Sequence, residues 1–442
     1  MEEWNMKTCK LLGACLAMAL ASTPLAGCGS NSSSAESTGK PDSILVWDYG
    51  EPASGQDRGW HRAAEIFTKK TGIKVKFEVK SFTQIAQNGS QFLNSDQAPD
   101  VMKSNRGNGS AGVLSTQNLL TDLKPYVKKY GWDKKVTGQA AAVGKYDQRG
   151  VMDGDTWYGI PSYAEMQRVY YNKDIFAKYG LQIPKTYSEF TQVLQAFKDK
   201  GVTPITADAG EFGVLWLWWQ LAMTKADRKF VDDWQLYKHK VNWRSEPLTF
   251  ATDTIKDWFD KGYISRNATG MKAEDTTTAF IRGEYPIYQT GSWNQNRFME
   301  QIKNFDWTAA IFPDSKMVEG CAGNLLVIPE KAKHKDLAAQ YIDIVLSDEI
   351  QNFIGNHGGV PVHADSNAIT DTKSRELVQE YNDAANANRM SYYPDYPAPN
   401  LTDAMPAAFQ ELVNGTKKPS EILQTLQKDY DDGVSQMGLD DN

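Results

Sequence analysis

Residues 43–79 read SILVWDYGEPASGQDRGWHRAAEIFTKKTGIKVKFEV, and their pattern decides the fold class. The apolar run over 43–47 predicts a short buried strand, and the segment from about Gly59 to Lys70 predicts a helix. Residues 73–79 alternate between apolar and polar side chains, which predicts a second strand. This order favours an α/β fold with a parallel sheet. It places the loop over 49–56 at the carboxyl end of the first strand, where such sheets bind ligands.

The size and composition of the chain favour a globular protein with two lobes. The chain has 442 residues, which is more than one hydrophobic core usually supports. The net charge of -7 argues against a nucleic-acid partner, because phosphate binding requires clustered Lys and Arg. The 13 Trp and 20 Tyr offer flat rings for the core or for a ligand with apolar faces.

The N-terminus predicts export and lipid attachment. Lys7 and Lys10 precede an apolar stretch over 11–25, which is too short to span a bilayer but typical of a signal peptide. The stretch ends in Leu25-Ala26-Gly27-Cys28, which resembles the bacterial lipobox. We therefore expect a signal peptide over 1–27 and lipidation of Cys28. A flexible tether over 28–43 would connect an extracytoplasmic domain to the membrane.

Later segments continue the mixture of helices and strands. Thr186-Tyr-Ser-Glu189 predicts a helix start with a capping box, and residues 335–346 and 419–434 predict amphipathic helices. Besides the lipidated cysteine, the predicted mature chain contains only Cys321, which excludes an intramolecular disulfide. We expect Cys321 to be buried.

Four separated stretches resemble one known family. They are Thr156–Pro161 (TWYGIP), Val169–Phe176 (VYYNKDIF), Ala279–Trp293 (AFIRGEYPIYQTGSW) and the segment from Gly323 to Pro361. Their order and spacing are similar to those of the extracellular solute-binding proteins that feed sugar ABC importers, the maltose-binding-protein-like group. The resemblance covers essentially residues 44–440.

The resemblance implies a two-lobed periplasmic-binding-protein-like fold of the α/β class with hinge crossovers. The implied N-terminal lobe comprises residues 44–162 and 324–365, and the C-terminal lobe comprises 163–323 and 366–442. One departure from the family pattern is Tyr285-Pro286, where the family usually has two small residues, so the packing of that strand is expected to differ.

The resemblance also implies a function, namely capture of a di- or oligosaccharide in the cleft and delivery to ABC importer permease subunits. We expect a monomer that reaches the membrane through its lipid anchor and is not an enzyme. A surface glycosidase is one alternative, because Glu165 with Asp208 or Glu211 could flank a sugar. Binding of a non-sugar solute is another.

Sugar chemistry selects the candidate site residues. Carboxylates and amides bridge hydroxyl groups, while aromatic rings stack on the apolar ring face. Glu165 lies where the family's maltose-binding member has an acidic sugar ligand, and a solvated hinge carboxylate is the alternative. Trp293 follows Gly291 at the family's Gly-x-Trp position, with Asn294 beside it, and a core tryptophan is the alternative. Gly291 is expected to let the backbone turn there.

Further candidates come from predicted loops and one helix. In the first lobe they are Tyr49, Glu51, Ser104 and Asn105, each of which has simple solvation as the alternative. In the second lobe, Trp216 is expected to reach the cleft, whereas Trp218 and Trp219 at helical spacing are expected in the core. A loop with two prolines contributes Tyr392, Tyr393 and Tyr396.

Two motif classes are rejected. Gly107–Gly112 matches G-x-G-x-x-G but lacks the acidic residue about 20 positions later that dinucleotide sites require, so we interpret it as a flexible loop. The five histidines show no metal-ligand spacing, and no G-x-S-x-G motif occurs. We therefore expect neither a metal nor a cofactor.

Overall fold

The computed structural model describes residues 40–363 and 366–439. Helices cover more of the described chain than strands. The strands are β1 (Ser43–Asp48), β2 (Lys74–Val79), β3 (Val101–Ser104), β4 (Lys145–Tyr146), β5 (Thr156–Trp157), β6 (Ile160–Pro161), β7 (Ala164–Asn172), β8 (Ile205–Thr206), β9 (Ile287–Gly291), β10 (Trp307–Ala310), β11 (Gly320–Ala322) and β12 (Leu325–Val327).

The helices vary from single turns to long amphipathic elements. They are α1 (Gly55–Thr71), α2 (Phe82–Leu93), α3 (Val113–Thr116), α4 (Lys124–Tyr130), α5 (Gly138–Ala142), α6 (Lys173–Lys178), α7 (Tyr187–Asp199), α8 (Gly213–Ala222), α9 (Arg228–Leu236), α10 (Glu246–Asp260), α11 (Ala273–Ile281), α12 (Gln295–Gln301), α13 (Lys335–Val345), α14 (Asp348–Asn356), α15 (Thr372–Asn386), α16 (Leu401–Asn414) and α17 (Pro419–Gln436). Among the described residues, none of these helices is both long and apolar enough to cross a membrane.

The first sheet forms the centre of the N-terminal lobe. Its strand order is β2-β1-β3-β12-β6. β1 pairs in parallel with β2 and with β3, whereas β12 runs antiparallel to β3 and β6. The predicted parallel pairing of the first two strands is confirmed. The loop after β1 and the loop after β3 therefore leave the sheet at the same edge.

The second sheet forms the centre of the C-terminal lobe. Its order is β10-β7-β9-β8, and β11 also pairs with β7. β7 is antiparallel to β9, β10 and β11, whereas the short β8 runs parallel to β9. All nine residues of β7 are buried, as expected for a strand covered on both faces.

Crossover segments join the two sheets. The chain passes from β6 in the first sheet to β7 in the second through Ser162 and Tyr163, and returns from β11 to β12 through Gly323 and Asn324. The two-lobed fold with hinge crossovers is confirmed. The exact lobe boundaries stay predictions.

Helix α1 begins four residues earlier than its predicted start at Gly59. Ser54 is the cause, because its side-chain oxygen accepts a hydrogen bond from the Asp57 amide at 3.2 Å and caps the first turn. The helix ends at Thr71, and Gly72 after it has the left-handed conformation (φ 77°) typical of a C-terminal cap.

Other sequence predictions are confirmed by local contacts. Thr186 and Glu189 form the predicted capping box at the start of α7. Trp218 and Trp219 are fully buried in the core of the C-terminal lobe. Cys321 is buried and free on β11.

The interpretation of Gly107–Gly112 as a flexible loop is wrong. Residues Asn108–Gly112 form one π-helical turn that continues into α3. A Cβ atom on Gly107 would lie 2.7 Å from the Tyr396 side chain, and one on Gly109 would lie 2.7 Å from the Ala398 backbone. Close packing of glycine backbone therefore orders this segment. The predicted signal peptide and Cys28 lie outside the described residues.

Candidate functional site

Residues of both lobes line one cavity of about 430 Å³. This volume falls within the roughly 300–1,000 Å³ that small-molecule sites occupy. The first sheet contributes the loops after β1 and β3, and the C-terminal lobe contributes the residues around the start of α8 and the end of β9. The predicted ligand residues that line the cavity are Tyr49, Glu51, Asn105, Glu165, Trp216 and Trp293.

An ion pair fixes the polar side of the first loop. The ammonium group of Lys103, whose side chain is 1% exposed, lies 2.8 Å from an Oε atom of Glu51. The same ammonium group lies 4.5 Å from the centre of the Tyr49 ring. Burial acts to raise the pKa of Glu51, but the charge and hydrogen bond of Lys103 outweigh it, so the pKa is lowered. Glu51 therefore offers a negatively charged hydrogen-bond acceptor.

Arg106 is the main site residue that the sequence analysis missed. Its guanidinium group pairs with the carboxylate of Glu165 on β7 and donates to the side-chain oxygen of Asn324. The guanidinium carbon also lies 5.1 Å from the ring centre of Tyr393 and 5.4 Å from that of Tyr396. Burial acts to lower the pKa of Arg106, but Glu165, together with the surrounding Tyr396, Cys321 and Tyr393, holds it well above its usual value. Its position directly after Asn105 was the available signal.

Three rings from the C-terminal lobe form a wall of the cavity. Phe212 stacks on Trp216 at 5.7 Å with an angle of 18° between their planes. Trp293 meets Trp216 edge-on at 5.1 Å. Both tryptophans are only half-buried, so their faces are available to a ligand. Such rings stack on the apolar face of a sugar.

In the Gly-x-Trp motif, the Trp293 ring packs directly against Gly291. Gly291 has φ -74° and ψ 159°, an ordinary extended conformation, so the expectation that it permits a turn is wrong. A Cβ atom at this position would lie 1.9 Å from the Trp293 ring. Glycine is required because the tryptophan ring occupies that space. The motif therefore places Trp293 against the end of β9.

Three predicted ligand residues do not line this cavity. Ser104 is buried, and its hydroxyl donates to the carbonyl of Asn105 at 3.1 Å. Asn294 donates to Thr290 at 3.0 Å and lies at an adjacent cavity that also touches Glu51 and Trp293. The third is Tyr392.

Tyr392 belongs to the core. It adopts a left-handed conformation (φ 59°), and its carbonyl accepts a hydrogen bond from the Trp219 indole at 3.2 Å. The residue is 3% exposed, as are Tyr393 and Tyr396, but it does not line the cavity. Tyr393 and Tyr396 of the same loop do line the cavity. The turn at Tyr392 directs successive side chains differently, which the sequence did not show.

Two acidic residues complete the lining. Glu211 accepts a hydrogen bond from the Ala273 amide at 2.9 Å. Asp395 is 7% exposed, and burial raises its pKa to about 6, partly offset by Arg106. Glu211 was predicted only as part of the glycosidase alternative, and Asp395 was not predicted.

An acidic cluster lies outside the cavity lining. Asp48, Asp57 and His61 place potential metal-ligand atoms within 4.8 Å of one another. The sequence did not indicate it, because the end of β1 and the first turns of α1 meet only in the fold. Burial, followed by the charge of Asp48, raises the pKa of Asp57 to about 6. The expectation of no metal site stays a prediction.

A ligand-sized cavity between two α/β lobes joined by crossover strands defines the class of two-lobed cleft-binding proteins. Within that class, residues 52–352 match the model of the family described as bacterial extracellular solute-binding protein. The chain belongs to this family.

Individual relatives are similar in sequence, and a solved structure is similar in fold. The multiple sugar-binding protein of Streptococcus mutans is 24% identical over 46% of this chain, and the match spans about half (51%) of that protein. The galactooligosaccharide-binding protein of Bacillus subtilis is 28% identical over 68% of this chain and 67% of its own length. The fold is similar to the sugar-binding protein MalE of Xanthomonas citri, with a TM-score of 0.67 and 20% identity over 89% of this chain and 98% of that one.

Proposed function

We propose that the protein captures a di- or oligosaccharide in its cleft and delivers it to the membrane subunits of an ABC importer. The observation that carries this proposal is a cavity that combines aromatic rings with ion-paired polar groups. Rings such as Trp216 and Trp293 stack on sugar faces, while Glu51, Arg106 and Glu165 hydrogen-bond hydroxyl groups. The names of the two relatives, which specify sugars, support the same ligand class.

Closure of the lobes is the proposed capture step. Arg58 on α1 forms a two-bonded ion pair with Glu300 on α12, at 2.6 and 2.9 Å. Nearby, Asn296 donates to the Ala53 carbonyl at 2.7 Å. These contacts join the two lobes beside the cavity. A ligand that contacts both lobes stabilises such a closed form.

The predicted lipidation of Cys28 would anchor the binding protein to the extracytoplasmic face of the cell membrane, close to the importer. This step rests on the lipobox-like stretch over 25–28 and on the family assignment. Globomycin, which blocks lipoprotein signal peptidase, should cause an uncleaved precursor to accumulate. A Cys28→Ser variant should be released from membranes. An unchanged membrane fraction for that variant would contradict the proposed anchor.

Thermal unfolding with a panel of saccharides tests the ligand proposal. We expect one or more di- or oligosaccharides to raise the melting temperature, and isothermal titration should then show one site. The Trp293→Ala variant should lose that stabilisation, whereas Tyr285→Ala, before the start of β9, should keep it. A folded protein whose melting temperature is unchanged by every saccharide would refute the proposal.

We propose that the cleft performs no hydrolysis. A glycosidase deserves a test because two carboxyl groups, Glu165 and Glu211, line the same cavity. The carboxylate of Glu165 is, however, bound by the Arg106 guanidinium, which suits a hydroxyl acceptor better than a proton donor. Incubation with bound oligosaccharides should release no reducing ends. Release that disappears in a Glu165→Gln variant would establish the enzyme instead.

A further inference from the structure

A group of buried polar side chains without partners lies beside the cavity. Both carboxyl oxygens of Glu319 lack a hydrogen-bond partner among the described residues, and the residue is fully buried. The side-chain amides of Gln167 and Gln289 also lack partners, although both residues are more than nine-tenths buried. Buried polar groups in native proteins are nearly always satisfied, so an unpaired cluster indicates a missing partner.

Strand pairing places these groups on one face of the second sheet. The amide of Gln167 donates to the Glu319 carbonyl at 2.8 Å, which puts these two residues opposite each other. Gln167 pairs with Gly291, and Val169 pairs with Gln289. Paired residues and alternate residues of a strand share a face, so Glu165, Gln167, Gln289 and Glu319 lie on the same side. Glu165 is at the cavity end of this row.

Asp395 connects the group to the cavity. It lines the cavity wall, and its negative charge acts on Glu319. The two cations nearest to the cleft already have partners, since Lys103 pairs with Glu51 and Arg106 pairs with Glu165. Neither Asp395 nor Glu319 has an ion pair among the described residues. This part of the cleft therefore has an excess of carboxyl groups.

A neutral hydroxyl group cannot balance this excess. An unpaired buried carboxylate is strongly unfavourable, so such a group either takes up a proton or receives a cation. We propose that the natural ligand is a saccharide that carries a protonated amine, whose ammonium group lies against Asp395 with Glu319 behind it. This inference rests on the proposed function and specifies its ligand as an amino sugar. The amides of Gln167 and Gln289 would help to solvate the charge.

The test uses matched pairs of saccharides with the full-length mature protein. Each pair consists of a glucosamine-containing di- or trisaccharide and its N-acetylated counterpart, and several linkages are included. Because acetylation removes the charge and keeps the ring, we expect the amino member of at least one pair to bind about 30-fold or more tightly than its partner at pH 6. Isothermal titration measures both affinities.

Neutralising variants test which groups make the difference. Asp395→Asn and Glu319→Gln should each reduce the affinity ratio between the amino sugar and its N-acetylated counterpart by about tenfold or more, because each removes one partner of a charge pair. The matched control is Glu376→Gln on the exposed surface of α15, which should keep the preference. Thermal unfolding of every variant verifies that it is folded.

Proton release gives a second, independent measurement. Among titratable or charged groups, Asp395 acts on Glu319, and Arg106 acts on Asp395. An incoming ammonium group favours the ionised form of both carboxyl groups, so binding at pH 5.5 should release about one proton, measured by titration in buffers of different ionisation enthalpy. Binding of the amino sugar without proton release would contradict the proposed contact.

The remaining outcomes separate this inference from the proposed function. If neutral saccharides bind as tightly as their amino counterparts, the amino-sugar inference is overturned and saccharide capture stands. If Na⁺, K⁺ or Ca²⁺ alone stabilises the protein and Glu319→Gln abolishes that effect, the group is an inorganic cation site and the inference is again overturned. If no saccharide of either kind binds the folded protein, both proposals fail.

Discussion

The two sides of the cleft differ in how they hold their side chains. On the side of the first sheet, polar groups are fixed by ion pairs, Lys103 with Glu51 in the same lobe and Arg106 with Glu165 on β7 of the second sheet. On the side of the C-terminal lobe, Phe212, Trp216 and Trp293 hold one another by ring contacts. The charged side therefore depends on mutual neutralisation, whereas the aromatic side depends on shape.

Because of this difference, substitutions on the two sides of the cleft should affect different properties, namely folding stability on one side and ligand affinity on the other. Removing one member of a buried ion pair leaves an unpaired charge and destabilises the fold itself. Removing a half-exposed ring takes away contact area that a ligand uses, while the fold loses less. Substitutions on the charged side should therefore reduce folding stability, and substitutions on the aromatic side should mainly reduce ligand affinity.

The largest effect is expected for Arg106→Leu. Glu165, whose side chain is 7% exposed, would lose its partner, and the free energy of unfolding should fall by about 3–5 kcal/mol. Urea unfolding measures this change. The double variant Arg106→Leu/Glu165→Leu should regain most of the loss, because two apolar side chains leave no buried charge. A double variant as unstable as the single one would show that Arg106 acts by packing alone.

Asp395→Asn should increase the free energy of unfolding at neutral pH, whereas Arg106→Leu decreases it. Burial raises the pKa of Asp395 to about 6, so the folded protein binds a proton more tightly than the unfolded chain, and wild-type stability falls as pH rises from about 4 to about 6. The Asp395→Asn variant has no carboxyl group at this position, so its stability does not fall in this way as the pH rises. At pH 7 it should be more stable than wild type by at most about 3 kcal/mol, and the difference should disappear near pH 4. Urea unfolding across this pH range provides the measurement, and a difference independent of pH would contradict it.

Trp293→Ala should act on affinity. Once a ligand is identified, its dissociation constant should increase about 30-fold or more, equivalent to about 2 kcal/mol. The free energy of unfolding should change less than in Arg106→Leu. Tyr285→Ala, before the start of β9, is the control and should bind normally. Equal affinities of the Trp293→Ala variant and wild type would show that the Trp293 ring does not contribute to ligand binding.

The parts of the structure that the sequence predicted are those encoded by short, local sequence patterns. The run over 43–79 predicted β1, α1 and β2 because its periodicity is local, and Thr186 and Glu189 predicted the start of α7 because a capping box spans only one turn. Trp293 and Glu165 were predicted through stretches that keep family spacing. The cavity lining includes both.

The missed residues depend on contacts between distant segments. Arg106 is recognisable as a site residue only when β3 and β7 bring it to Glu165, 59 positions away. Asp395, in the loop after α15, acts on Glu319, directly before β11, and no local pattern relates residues so far apart in the chain. Tyr392 could not be distinguished from Tyr393 and Tyr396 in the sequence, because a left-handed residue has no signature in this tyrosine-rich loop.

The smallest effect is expected outside the cavity, at the ion pair between Arg58 and Glu300. Both side chains are partly exposed (33% and 44%), so the pair contributes only about 0.2–1 kcal/mol to the contact between the lobes. Arg58→Ala should weaken ligand binding by a few-fold at about 20 mM salt and by less at about 500 mM, because salt screens exposed charges. The exchange Arg58→Glu/Glu300→Arg should restore affinity at low salt. Restoration would show that the charges, rather than the arginine side chain, hold the lobes together, whereas an exchange variant as weak as Arg58→Ala would assign the contact to packing.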